Sequence, residues 1–132
     1  MPSQRSRVAV EKLERPLARL EEALAEDPSS PLVLDGTIQR FEFVFELAWK
    51  ALRSVLADLG VETASPRSAI RAAYAAGLID DEPGWLALLQ ARNETSHTYD
   101  EAQARRVYEA VSAAMPVLRA AAARLRAELD PA

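Results

Sequence analysis

The segment Ala91-Arg92-Asn93-Glu94-Thr95-Ser96-His97-Thr98-Tyr99-Asp100 breaks the pattern of its surroundings. On either side apolar residues recur every three or four positions, whereas here nearly every residue is polar. Continued as a helix in 100° steps, it gathers Arg92, Asn93, Ser96, His97 and Tyr99 within one arc of about 160°, with Glu94, Thr95 and Thr98 opposite. Such a set suits phosphate chemistry. The Arg92 fork can take two phosphate oxygens, and an imidazole with a pKa of about 6.5 serves as general acid or base. Asn93 can bind a phosphate or fix the tautomer of His97, and Ser96 can assist. His97 is the single histidine, so a two-imidazole acid–base pair requires two copies of the chain. The plainer reading is a solvated helix end, with Tyr99 tucked against the protein and Arg92 paired to a carboxylate.

A second feature is Gln39-Arg40-Phe41-Glu42-Phe43-Val44-Phe45-Glu46-Leu47-Ala48-Trp49-Lys50. Glu42, Glu46 and Lys50 follow at four-residue spacing, and Glu before Lys is the favourable order on a helix. They form either a surface ion-pair ladder or a wall of the cleft, with Arg40 or Glu46 near His97 and orienting it. Periodicity alone leaves both open.

The elements that must position these residues are helical. The chain has 132 residues, enough for one domain, with four glycines and twenty-six alanines, a composition that favours helices. No cysteine is present, which excludes disulfides and thiolate chemistry, and one histidine leaves no ordinary zinc site. We therefore expect neither metal nor cofactor. The net charge of −4 argues against a general nucleic-acid coat, whose binding rests on phosphate neutralisation. A local basic pocket remains compatible: fourteen of the sixteen basic residues are Arg, and Arg40, Arg67, Arg71, Arg105 and Arg106 are candidates to line it. No apolar run is long enough to span a membrane, and the first residues carry no secretory signal pattern. A cytoplasmic location is the expectation.

Periodicity predicts a first helix from about Arg7 to Glu26, striped by Val8, Leu13, Leu17, Leu20 and Leu24 and interrupted by Pro16. Ser30-Pro31 opens a second helix over about 32–59, in which Leu34, Ile38, Phe41, Phe45, Ala48, Leu52, Val55 and Leu59 keep a 4-3-4-3 seam. Phe43, Leu47, Trp49 and Leu56 widen that seam towards a second face, suited to a neighbouring subunit. Gly60 is its stop. Ser65-Pro66 opens a short helix ending at Gly77, and a fourth runs from about Glu82 to Ser96 through Trp85, Leu86, Leu88 and Leu89. Asp100, with Gln103 three positions on, opens a last helix to about Leu129, carrying Val107, Val111, Ala114, Leu118 and Leu125, with a bend at Pro116. The expected fold is an all-α antiparallel up-and-down bundle of four to five helices, a single domain over 1–132 with its core at about 7–128.

The Arg92-X4-His97-X-Tyr99 motif resembles the Arg-X4–6-His motif of the HEPN superfamily. Together with Gln39 to Lys50, Ser65-Pro66-Arg67 and Thr95 to Tyr99, the chain is similar to the branch called nucleotidyltransferase substrate-binding proteins, the relatives of HepT, over about residues 7 to 128. The resemblance implies a homodimeric helical bundle whose two Arg/His motifs face a shared cleft. It implies a partner of the minimal nucleotidyltransferase class, as in HEPN/MNT toxin–antitoxin pairs. It further implies metal-independent ribonuclease activity at Arg92 and His97, silenced when the partner transfers AMP to Tyr99. The alternative is a passive subunit that binds a nucleotide or substrate for the partner. No Gly-Ser followed by a paired-Asp motif occurs, so the chain is not expected to transfer nucleotides itself.

Overall fold

The structure is a computed structural model and describes residues 2–96 and 100–130. Five helices and no strand occur among the described residues: α1 (Gln4–Leu24), α2 (Pro31–Asp58), α3 (Pro66–Ala75), α4 (Glu82–Thr95) and α5 (Glu101–Leu129). The all-α bundle expected from the sequence is thus met, at the five-helix end of the range.

Local signals explain most boundaries. α1 starts three residues before the expected Arg7, because Ser3 caps it: its hydroxyl oxygen accepts the Ser6 N–H at 3.1 Å. α2 starts with Pro31 at its first position, after Ser30, whose side chain makes no capping bond. Gly60 and Gly77, at φ of +87° and +78°, end α2 and α3 in the left-handed region, where a Cβ is disfavoured. Ser65 and Ser68 form a reciprocal capping box at the start of α3. Asp81 and Asp100 cap α4 and α5 by accepting the N–H groups of Gly84 (2.8 Å) and Gln103 (2.7 Å). Pro16 and Pro116 both lie inside continuous helices.

α2 is the axle of the bundle and packs against each of the other four helices. The seam Leu34, Ile38, Phe41, Phe45, Ala48, Leu52 and Val55 is buried along its length. Phe41 and Phe45 sit with ring centroids 6.1 Å apart, and Phe45 meets Trp85 of α4 at 6.2 Å, both tilted. Leu59, expected as the last seam position, lies past the helix end and is exposed. On α1 the buried face is Val10, Leu13, Leu17, Leu20 and Ala23. The expected Val8 is exposed, because it lies two residues, about 200°, from Val10. On the second face of α2, Trp49 and Leu56 are buried, Leu47 is half-buried, and Phe43 is 59% exposed. That face is narrower than the sequence suggested.

The start of α1 is fastened to the end of α2. Asp58 Oδ2 accepts the Ser3 N–H at 2.9 Å and the Ser6 hydroxyl at 2.7 Å. Ser6 and Ser54, both buried, share a hydroxyl hydrogen bond of 2.9 Å. Partial burial disfavours the Asp58 carboxylate, but the hydrogen bonds from Ser3 and Ser6 prevail and hold its pKa below 3.8.

Candidate functional site

Trp85, Leu88, Leu89 and Ala91 turn one face of α4 into the core. Arg92 follows on the edge of that face, three residues after Leu89, and so points along the α2 surface. Glu46 stands beside it, one residue after the buried Phe45. Its Oε1 accepts a hydrogen bond from Arg92 Nη2, which closes an ion pair between α4 and α2. Its Oε2 accepts the Trp49 indole N–H at 3.2 Å, with the Lys50 ammonium 3.8 Å away. A single carboxylate thus ties together an arginine, an indole and a lysine. Both members of the inter-helix pair are about one-third exposed, 37% for Arg92 and 33% for Glu46, so a solute can reach them. The contact uses Nη2, and Arg92 Nε and Nη1 make no side-chain hydrogen bond among the described residues.

Polar competition ends the helix just beyond. The Thr95 hydroxyl donates to the Arg92 carbonyl oxygen at 2.7 Å, and the Ser96 hydroxyl to that of Asn93 at 3.0 Å. Each satisfies a carbonyl left without a partner by the helix terminus. α4 therefore stops at Thr95 with Ser96 as its C-cap. Asn93 is exposed on the last turn of α4, and Ser96 is exposed with its hydroxyl engaged. His97, Thr98 and Tyr99 lie outside the described residues.

Of the second-helix candidates, Glu46 meets Arg92 and Arg40 does not. Arg40 lies about 120° round the helix from Glu46, and its Nη1 donates to the Arg19 carbonyl oxygen of α1 at 2.8 Å. The Glu42–Glu46–Lys50 ladder is realised only in its second half. Trp49, apolar surface by its type, turns out to be a donor to the site. Its position three residues after Glu46 was the available signal. Among the other basic candidates Arg105 is tied to Glu101 at 3.1 Å. No group of three or more His, Cys, Asp or Glu that could hold a metal occurs among the described residues. No helix among them is long and apolar enough to cross a membrane.

A family model described as nucleotidyltransferase substrate binding protein like matches residues 8–127, which include Glu46, Trp49, Lys50 and Arg92. The chain belongs to that family. A Haemophilus influenzae relative named probable ribonuclease HepT is 38% identical over 81 residues, covering 58% of this chain and 56% of that protein. The chain therefore spans just over half the length of that curated relative. A crystal structure of a Thermus thermophilus protein aligns at a TM-score of 0.81 and 38% identity, over 86% of this chain and 98% of that one. A second structure, from Haemophilus influenzae, is reported to reveal the fold of a substrate binding domain of a nucleotidyltransferase. It aligns at a TM-score of 0.68 and 29% identity, over 92% of this chain and 96% of that one. The HepT-like resemblance seen in the motifs is thus met by a family match across nearly the whole chain.

Proposed function

We propose that this protein is the HEPN half of a two-protein HEPN/minimal-nucleotidyltransferase module, a metal-independent ribonuclease acting in the cytoplasm through Arg92 and His97. The observation that supports the reading is the Glu46–Arg92 pair, which holds the partly exposed motif arginine against α2. In the reaction a 2′-hydroxyl attacks the adjacent phosphorus, and the bond to the 5′-oxygen breaks. One group removes the hydroxyl proton and another protonates the departing oxygen. Imidazole can serve in either role, so a homodimer that brings two copies of His97 to one cleft supplies both. Arg92 neutralises the charge that builds on the phosphorane oxygens, and Asn93 and Ser96 line the approach.

Control comes from the partner. The Tyr99 phenol attacks the α-phosphorus of ATP on the partner enzyme, forming tyrosyl-AMP and releasing pyrophosphate. The phenolic proton passes to solvent. The added phosphate then occupies the space and the charge complement meant for RNA.

Purified protein in chelator should cleave single-stranded RNA, and His97→Ala should abolish cleavage while leaving the helical signal unchanged. Cleavage that survives this substitution would overturn the assignment. A passive role in presenting a nucleotide to the partner is the second reading, favoured by the substrate-binding description of the Haemophilus influenzae structure. It requires no cleavage at any protein concentration, and nucleotide or partner binding that weakens in Arg92→Ala.

A further inference from the structure

Along the solvent side of the α1–α2 groove, away from the Glu46–Arg92 pair, a cavity of about 220 Å³ is lined by Arg15, Pro16, Arg19, Arg40 and Phe43. Two properties bear on what it can hold. Phe43, at 59%, is the most exposed aromatic ring among the described residues, and no carboxylate lines the cavity around it. None of the three arginines has a carboxylate within ion-pair distance among the described residues, a property shared with Arg5, Arg53, Arg67, Arg71 and Arg106. Arg15 and Arg19 form a like-charge pair at i, i+4, an arrangement that weakens a helix. Three arginines without an ion-pair partner thus stand beside an exposed ring in a cavity whose wall is almost wholly apolar, and Arg40 also borders a neighbouring cavity with Glu22 and Glu26.

From this we infer that the groove around Phe43 is a binding subsite for single-stranded RNA, in which a base stacks on the Phe43 ring and the flanking phosphates meet Arg15, Arg19 and Arg40. The inference rests on the ribonuclease reading for its purpose and extends it by locating where substrate is held. A ring plus unpaired guanidinium groups is the combination that grips single strands without sequence preference. Phe43 precedes Glu46 by three residues on α2, although neither Glu46 nor Arg92 lines the cavity. Farther along α1 and α2 lies a separate second cavity, where Arg5 and Arg53 stand with Glu62 and with Lys50, itself paired to Glu46. Arg40 and Arg53 are about 20 Å apart along the helix axis, a span for a chain of nucleotides and not for a single one.

The experiment measures binding of a short fluorescein-labelled oligouridylate by anisotropy, in the His97→Ala background so that the probe stays intact. Arg15→Gln/Arg19→Gln should weaken binding at least about tenfold and lower the dependence of log affinity on log salt by about 1.4, the share of two single-strand phosphate contacts. Phe43→Ala should weaken it about tenfold and Phe43→Tyr should restore it, since stacking needs only a ring. Equal binding by all variants, or no binding by the parent, overturns the inference. Sedimentation of each variant supplies a further readout. If either substitution converts a dimer to a monomer, the surface is an interface between copies of this chain, and the inference also falls. The two readings fail separately: RNA binding that depends on these residues without cleavage by the unmodified protein removes the ribonuclease and keeps the subsite, while cleavage with unchanged binding does the reverse.

Discussion

Glu46 carries a positional burden that its type alone does not reveal. Its two oxygens are divided between Arg92 on one side and Trp49 and Lys50 on the other, so the arginine is held by a carboxylate whose own rotamer is held. An ion pair open to water on both members contributes less than about 1 kcal/mol to stability. Glu46→Gln should therefore leave the melting temperature nearly unchanged, yet slow RNA cleavage about tenfold as the Arg92 fork loses its fixed direction. Parallel thermal melts and cleavage rates check this, and a large loss of stability with unaltered cleavage would make Glu46 a structural residue only. At this scale the sequence was partly legible. The polar break at residues 91–100 drew out Arg92, whereas the four-residue spacing gave Glu42, Glu46 and Lys50 together and left Arg40 and Glu46 both open as neighbours of His97. That these two meet, and that Arg40 turns instead to the Arg19 carbonyl oxygen, depends on how far α4 is rotated against α2, which no single-helix pattern encodes.

Between helices, the Ser3–Ser6–Ser54–Asp58 cluster joins the first turn of α1 to the last turn of α2. The folded-state pKa of Asp58 lies below its ordinary value of 3.8. Its stabilising effect is therefore complete above pH 3.8 and is lost as the pH falls through the folded value. On acidification below about 3.8 the amides of the first turn of α1 should lose protection from hydrogen exchange. In Asp58→Asn the protection should be lower at neutral pH, by less than about 1 kcal/mol given the exposure, and flat across that range. Helix boundaries set by proline, glycine and capping residues were readable in advance: Pro31, Gly60, Ser65, Gly77 and Asp100 all act where expected. The start of α1 was not. Ser3 is one of two serines near the beginning, and its capping role goes with Ser6 being drawn into a buried bond with Ser54, 48 residues away.

For the whole molecule, the single histidine couples chemistry to assembly. If two imidazoles share one cleft, specific cleavage activity should fall on dilution as dimers dissociate, and co-expressed His97→Ala chains should poison wild-type partners. Activity that stays proportional to protein concentration down to the monomer range would place the whole reaction within one chain. The bundle itself was the most legible property, because a seam as regular as Leu34 to Val55 buries only against other helices. What α2 touches was not legible, and it is the feature with the widest reach. One rod braces four neighbours at once, so no helix can shed its packing against that rod without baring surface that another also covers. Disassembly then proceeds as one concerted event rather than by peeling, and mid-rod positions such as Phe41, Phe45 and Leu52 leave evolution less room for piecemeal change than any position on the rim.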